Sequence, residues 1–423
     1  MHVGGLSFPP VGSPNGPTLR SCWLALKATE VFTPASFPKR TYVERAAEKL
    51  EEKLRDALSV QGEIVSLVGP SKSGKTVLVE RVVGRDYLIP ITGAGIKSPD
   101  DVWTRVLDWI DAPISTTSAT SVSGSLRFIG AEKQVEREVG RRGLPDVVRE
   151  IADSDWVVLL DDFQYVSRDV QTEVARSLKE AARLGVRICT ATVVHRGDDL
   201  VRSNPELRGR VAAIDLKYWS KSDLEQIASL GFAALNLSFD TAAVGTLATE
   251  AAGSPQLMQL LCQQSCFVLG TRARQSQPVS VTLEDENLRK ILSDASAVAD
   301  YRSLVDVLDG GPRTRGTERK IYQFQDGSAG DVYRCVLKAI ASDPPGLLFT
   351  YADLTKRTEE VCVGDVPVGS SVVGTCVHMS KLAAERFPVE RAIEWDEQKQ
   401  ILDLPDPYLL FYLRWSGRLA EPD

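Results

Sequence analysis

The chain has 423 residues, of which 43% are hydrophobic and 25% charged, values typical of a soluble globular protein of about three domains. The formal net charge of −7 gives no overall attraction to nucleic acid, and no apolar run approaches the roughly 18 residues of a membrane span. Seven scattered cysteines without a C-x-x-C pair, and three histidines, argue against a zinc site and predict a reducing, cytoplasmic environment.

The N-terminal 40 residues are predicted to form a flexible arm. Residues 1–20 are rich in Gly, Pro and Ser and show no hydrophobic period. An α/β domain is expected over residues 41–218, and it starts with a charged amphipathic helix at 46–58. The first buried strand is predicted directly after that helix.

A phosphate-binding loop is predicted between this first strand and the helix that follows it. The apolar run at 64–68 predicts the strand, and residues 77–83 predict the helix. The residues between them fit the Walker A pattern G-x-x-x-x-G-K-[ST]: Gly69, Pro70, Ser71, Lys72, Ser73, Gly74, Lys75 and Thr76. In this motif the loop amides surround polyphosphate, and a side chain at Gly74 would obstruct their approach. Lys75 is expected to reach the β- and γ-phosphates, and Thr76 to ligate Mg²⁺.

Tyr42 and Val43, in the segment that precedes the first helix, are candidates for contact with a nucleotide base. In many P-loop ATPases the segment before the first helix borders the adenine, which indicates Tyr42 or Val43 in this chain. The alternative is that both residues only pack at the start of the helix.

A second motif places two acids at the end of a buried strand. The four apolar residues at 157–160 predict the strand, and Asp161 and Asp162 follow it directly. This is the Walker B pattern, which brings a carboxylate beside the P-loop because parallel strands end at the same edge of a sheet. Asp161 is expected to hold Mg²⁺, directly or through water, and Asp162 to act as general base for the attacking water.

The next two elements contain candidates for contact with the γ-phosphate. Thr192, at the end of the strand predicted at 186–192, is the first candidate for a γ-phosphate sensor, and Thr190 is the second. An ordinary strand-end role is the alternative for both. An arginine before the strand at 211–216 could stabilise the phosphoryl group in the same or a neighbouring subunit. Arg210 is favoured over Arg208, with a surface ion pair as the alternative.

The remaining chain is predicted to contain a helical lid (219–295), a linker (296–330) and an α+β winged-helix domain (331–423). The Gly- and Arg-rich part of the linker, with Arg313 and Arg315, is expected to be solvated, with phosphate contact as the alternative. The C-terminal pattern of three helices and a hairpin is typical of a winged helix. Its 10 Lys and Arg against 15 Asp and Glu give a net charge of −5, which favours a protein contact over DNA.

Taken together, these motifs resemble the STAND branch of the AAA+-like ATPases, especially the archaeal-type ATPases related to origin-recognition proteins. The similarity covers roughly residues 40–415. Besides the Walker A loop, it is carried by residues 161–164, similar to D-[DE]-x-Q, by the Gly-x-Pro of the lid and by residues 406–415, similar to D-P-x-L-x-F-Y-x-R-W. The resemblance implies that Pro255 packs on the nucleotide base and that nucleotide controls switching between closed and oligomeric states. Gln256 stands where AAA+ lids often carry an arginine, and any repeat sensor or effector would be a separate chain.

The sequence therefore predicts an α/β P-loop fold with a helical lid and a winged helix. The predicted function is an ATP- and Mg²⁺-dependent ATPase that acts as a molecular switch with separate protein partners, in nucleotide-dependent homo-oligomers and without a membrane. One alternative is a nucleotide-dependent DNA-binding ATPase of the loader or transposition-regulator type. Another is a pseudo-ATPase scaffold that binds nucleotide without turnover.

Overall fold

The computed structural model describes residues 26–110, 143–193, 207, 209–312, 319–388 and 392–420. Five parallel strands form the central sheet: β1 (Ile64–Gly69), β2 (Leu88–Thr92), β3 (Val157–Asp161), β4 (Arg187–Val193) and β5 (Val211–Asp215). Their spatial order is β2-β3-β4-β1-β5, so β4 lies between the strand before the P-loop and the strand that carries the paired acids. All pairings are parallel, and the strands therefore end at one common edge. This topology confirms the predicted P-loop NTPase fold.

The N-terminal segment is packed against the lid from residue 26 onward, which corrects the prediction of a flexible arm up to residue 40. The short helix α1 (Ala28–Val31) contributes two fully buried residues to the lid core. Phe32 lies edge-on to Phe232, with ring centroids 5.1 Å apart. A Cβ at Gly231 would lie 2.1 Å from the Phe32 ring, so only glycine leaves room for the ring at this position.

Helices cover both faces of the central sheet. One layer holds α2 (Leu50–Ser59) and α3 (Lys75–Val83), and the other holds α4 (Pro99–Trp109), α5 (Leu144–Ile151) and α6 (Arg168–Arg183). Successive residues of a strand face opposite layers, which is why most residues of the strands are apolar. On β3, Val157 and Leu159 pack against the first layer, and Val158 and Leu160 against the second.

The lid consists of helices with a small parallel two-stranded sheet. Its elements are α7 (Lys221–Ala234), β6 (Leu237–Phe239), α8 (Thr241–Glu250), α9 (Pro255–Val268), β7 (Val279–Val281) and α10 (Asp285–Ser296). The chain turns between α8 and α9 at Gly253, which has φ +81°. Ser254 then caps α9, its hydroxyl oxygen accepting a hydrogen bond from the Leu257 amide at 3.2 Å. This turn fixes Pro255 as the first residue of α9.

The region predicted as a linker is folded over much of its length, which corrects that prediction. It contains α11 (Arg302–Gly310), β8 (Tyr322–Phe324) and β9 (Ala329–Gly330). Leu304 and Leu308 of α11 are buried in the C-terminal core because residues four apart share one face of a helix. Arg313 and Arg315 lie outside the described residues.

The C-terminal unit is α+β and follows the predicted order of elements. They are α12 (Val332–Ala341), β10 (Leu348–Thr350), α13 (Tyr351–Val361), β11 (Cys362–Val363), α14 (Gly369–Arg386), β12 (Glu394–Asp396), β13 (Ile401–Asp403) and α15 (Pro407–Trp415). An antiparallel sheet has the order β10-β13-β12, and β11 joins β8 and β9 in a second sheet. The assignment as a winged helix stays a prediction. Within the described residues, no helix is long and apolar enough to cross a bilayer.

Candidate functional site

The loop between β1 and α3 has a backbone shape suited to holding phosphate. Gly74 has φ +93° and Lys72 has φ +58°, so the chain twice enters the left-handed region. A side chain at Gly74 would strain this conformation. Lys75 and Thr76 are the first residues of α3, whose initial amides have no partner within the helix and carry the positive end of its dipole. Such a helix start is a ready site for an anion.

Lys75 lies buried in the loop, with 8% of its surface exposed. Its ammonium donates hydrogen bonds to the carbonyl oxygens of Gly69 at 3.1 Å and Pro70 at 2.8 Å. Burial lowers the pKa of Lys75 to about 8, while the negative charges of Asp161 and Asp162 act in the opposite direction. Holding this cation therefore costs free energy, and a nearby anion would reduce that cost.

The paired acids lie beside the loop, where the end of β3 delivers them. Thr76 Oγ1 donates a hydrogen bond to Asp161 Oδ2 at 2.5 Å, and Asp161 Oδ1 accepts one from the Asp162 amide at 2.9 Å. Asp162 has φ +56°, which turns the chain directly after the strand. The structure thus brings the two acids of the second motif to the Lys75–Thr76 end of the first.

This donor set fits Mg²⁺ in chemistry and in number. Mg²⁺ prefers hard oxygen ligands and usually takes one or two from the protein, with the rest from phosphate and water. The Thr76 hydroxyl and the Asp161 carboxylate already contact each other and could both hold such an ion. In the part of the chain that the structure describes, no group of three or more His, Cys, Asp or Glu could form a separate metal cage.

A cleft of about 530 Å³ opens over the P-loop, at the junction of the central sheet, the lid and the N-terminal segment. This volume lies within the range of about 300–1,000 Å³ found for small-molecule pockets. Its wall combines P-loop residues 71–76 and both acids with residues 33–38 and the start of α9. Charged groups for phosphate and apolar groups for a base are therefore present around one cavity.

The three residues predicted to contact the base all line this cleft. Val43 is 5% exposed and also packs in the lid core, while Pro255 enters from the start of α9. Tyr42 stacks on Phe37, with ring centroids 6.0 Å apart, and donates a hydrogen bond to Glu51. Their contact with a base stays a prediction.

The two candidate sensor threonines have different surroundings on β4. Thr190 is fully buried, and its hydroxyl donates a hydrogen bond to the Val65 carbonyl at 3.4 Å. Its second-choice sensor role stays a prediction. Thr192 pairs in register with Val68, one residue before the loop. Its buried hydroxyl has no hydrogen-bond partner among the described residues. The neighbouring Val193 lines the cleft, and the sensor role of Thr192 stays a prediction.

Arg210 lies at the edge of the sheet opposite to the P-loop. Its carbonyl accepts a hydrogen bond from the Ile64 amide at 2.9 Å, at the start of β1, whereas the loop follows the end of that strand. The length of β1, about 17 Å, exceeds the reach of an arginine side chain. A role at the γ-phosphate of its own chain is therefore wrong. A role in a neighbouring subunit stays a prediction for Arg210, and Arg208 lies outside the described residues.

Two contacts of the loop were not predicted from the sequence. Trp219 Nε1 donates to the Ser73 carbonyl at 2.9 Å, which joins the loop to the start of the lid. The Lys72 ammonium lies 2.5 Å from Asp406 Oδ2 and 4.3 Å from the centroid of the Tyr408 ring. The Asp406–Pro407 pair at the start of α15 signals a helix start, but no local pattern links Asp406 to a loop 334 residues earlier.

No family model and no curated protein matches the chain. Solved structures do resemble it. Cdc6p from Pyrobaculum aerophilum is 14% identical, covers 92% of this chain and 97% of its own, and has a TM-score of 0.44. A Walker-type ATPase of Pyrococcus abyssi is 17% identical, with coverages of 89% and 99% and a TM-score of 0.49. The Orc1 protein of Aeropyrum pernix, solved in complex with DNA, is 13% identical, with coverages of 93% and 98% and a TM-score of 0.46.

The fold is established by the strand order β2-β3-β4-β1-β5 and by the shape of the loop after β1. The chain has the P-loop NTPase fold, with a helical lid and a C-terminal α+β unit.

Proposed function

We propose that this chain binds ATP with Mg²⁺ in the cleft and hydrolyses it. The observation that carries the proposal is the buried ammonium of Lys75 beside the Thr76–Asp161 pair. Phosphate oxygens would replace the carbonyls of Gly69 and Pro70 as partners of this ammonium and would reduce the cost of its burial.

Each residue of the site has a separate task in the proposed reaction. The loop amides and Lys75 hold the β- and γ-phosphates, while Thr76 and Asp161 would hold Mg²⁺, which neutralises phosphate charge when bound. Asp162 accepts a proton from the water that attacks the γ-phosphorus. The bond between the γ-phosphorus and the ADP oxygen breaks, so the products are ADP and inorganic phosphate.

The finer part of the proposal is a nucleotide-controlled switch that works with separate protein partners. It is supported by the position of the cleft, whose wall includes both the sheet domain and the lid, so that a bound nucleotide would contact both. The net charge of −5 over residues 331–423 favours a protein over DNA as the partner of the C-terminal unit. Exposed Arg210 is accessible to a second copy of the chain, which supports a joint site in a homo-oligomer.

Equilibrium binding and phosphate release together test this proposal. Wild type is expected to bind ATP with sub-millimolar affinity, and Lys75→Ala to lose that binding. Asp162→Asn should still bind ATP but release phosphate at least about a hundredfold more slowly. Lys290→Ala, which removes a lysine that is 60% exposed on the lid, is the matched control and should leave both values unchanged.

Two outcomes would contradict different parts of the proposal, one the nucleotide site and the other ATP hydrolysis. Unaltered ATP binding in Lys75→Ala would remove the cleft as the nucleotide site. Equal and negligible phosphate release from wild type and Asp162→Asn would leave a protein that binds nucleotide without turnover.

A further inference from the structure

The start of α15 reaches back to the P-loop and holds one of its lysines. The Lys72 ammonium contacts the Asp406 carboxylate at 2.5 Å and lies over the Tyr408 ring at 4.3 Å. The two charged side chains are 29% and 13% exposed, so water screens this pair less than a surface pair. A residue of the C-terminal unit therefore borders the loop that would hold phosphate.

Asp406 is fixed in place by further hydrogen bonds. Its Oδ1 accepts a hydrogen bond from the Tyr408 amide at 2.9 Å, which caps α15. Its Oδ2 accepts one from the Tyr301 hydroxyl at 2.6 Å, in addition to the contact with Lys72. The carboxylate thus keeps its position relative to α15, and Lys72 is the partner that belongs to the loop.

The helix that carries Asp406 at its start is shared between two hydrophobic cores. Tyr408 and Phe411 are buried in the lid core. The opposite side of the helix is buried in the C-terminal core, through Leu409, Leu410, Tyr412 and Leu413. Displacement of α15 would therefore disturb both cores.

A buried ion pair adds to this connection. Arg414 Nη2 lies 2.7 Å from Glu250 Oε1, both side chains are 7% exposed, and Trp415 Nε1 donates to the same carboxylate at 2.6 Å. Separating a buried pair leaves an uncompensated charge on each side. The lid and the C-terminal unit are thus joined through α15, and its first residues contact the loop.

We propose that Asp406 is a positioning residue of the nucleotide site, which competes with the phosphates of the nucleotide for Lys72. The inference rests on the proposed ATP binding and adds its regulation by the C-terminal unit. A bound triphosphate brings several negative charges to the loop and attracts the Lys72 ammonium away from Asp406. Nucleotide binding then weakens the contact between the loop and α15, and a firmly seated α15 weakens nucleotide binding by the same factor.

Asp406→Asn tests this competition with little disturbance to the fold. Asparagine caps a helix about as well as aspartate, because its single side-chain oxygen can accept the hydrogen bond from the Tyr408 amide. Its NH2 group can donate to the Tyr301 hydroxyl oxygen in place of the hydrogen bond that Asp406 Oδ2 accepts, so the change removes mainly the charge. We expect this variant to bind ATP roughly three- to tenfold more tightly than wild type. Asp365→Asn, which makes the same charge change at a surface pair with Lys320, is the control and should leave affinity within about twofold.

A second background separates competition from a structural effect. Because the proposed effect acts through the Lys72 ammonium, adding Asp406→Asn to Lys72→Met should change ATP affinity by less than about twofold. Weaker or unchanged ATP binding in Asp406→Asn alone would overturn the inference, as would a full gain in the Lys72→Met background. These results differ from failure of the proposed function, in which wild type and Lys75→Ala would bind ATP equally.

Discussion

Replacing Lys75 with methionine tests whether burial of the Lys75 ammonium in the loop lowers the free energy of unfolding. A fall in the pKa of this lysine from 10.5 to about 8 corresponds to about 3 kcal/mol, at about 1.36 kcal/mol per pH unit. Methionine removes that cost but also removes the hydrogen bonds to Gly69 and Pro70, which contribute about 1 kcal/mol each. We therefore expect Lys75→Met, without nucleotide, to be about 1 kcal/mol more stable than wild type at neutral pH.

The stability difference between Lys75→Met and wild type should become smaller as the pH rises. Because the pKa of Lys75 is lower in the folded than in the unfolded protein, the unfolded protein binds more protons between pH 8 and 10.5. Wild-type stability therefore rises through that window, and the advantage of the variant is largest below pH 8 and shrinks above it. Urea denaturation at about pH 7 and about pH 9.5 measures both effects.

Lys72→Met is the matched control. Because the Lys72 ammonium is paired with the Asp406 carboxylate, this variant should be less stable than wild type. If Lys75→Met were less stable than wild type by more than about 1 kcal/mol at neutral pH, the burial of Lys75 would not carry the cost assigned to it.

Three further predictions concern the metal, the neighbouring subunit and the junction of lid and C-terminal unit. Thr76→Ala should weaken ATP binding about tenfold or more in the presence of Mg²⁺ and much less in EDTA, as measured by calorimetry; equal losses in both would argue against a metal ligand at this position. Arg210→Ala should bind ATP like wild type. If Arg210 acts on the nucleotide of a neighbouring subunit, a mixture of Arg210→Ala and Lys75→Ala should recover phosphate release. Phosphate release by isolated Arg210→Ala monomers equal to that of wild type would exclude a role in a neighbouring subunit. Arg414→Met should lower the free energy of unfolding by about 3–5 kcal/mol because it leaves Glu250 buried without its cation. The double variant with Glu250→Leu should recover part of that loss in chemical denaturation, because it removes the buried charge but also the acceptor of the Trp415 indole N–H. A small effect of Arg414→Met alone would contradict this last prediction.

The parts of the site that follow from local chain geometry could be predicted. The glycine at position 74, the lysine and the threonine after it are fixed by a strand–loop–helix unit of some 20 residues. Asp161 and Asp162 follow a buried parallel strand, and such strands deliver their last residues to a common edge. The same rule explains why Arg210 does not reach the γ-phosphate of its own chain. A residue that precedes a parallel strand lies at the edge of the sheet opposite to the P-loop.

The contacts that join distant segments could not be predicted. The helix Ala28–Val31 is too short to give a hydrophobic period, and it is buried because Phe232 and Gly231, some 200 residues later, accommodate Phe32. The pairing of Lys72 with Asp406 likewise depends on how the lid and the C-terminal unit fold back over the loop. Tertiary packing, and not the local sequence, decides both.

Photoaffinity labelling with an azido derivative of ATP, followed by mapping of the labelled peptide, tests most directly that this cleft holds the nucleotide base. We expect the label on peptides containing residues 33–43 or 255–259, which line the cleft, and we expect it to be displaced by unlabelled ATP and absent from Lys75→Ala. Label that resists displacement by ATP, or that maps to a surface away from these segments, would contradict the assignment of the nucleotide site.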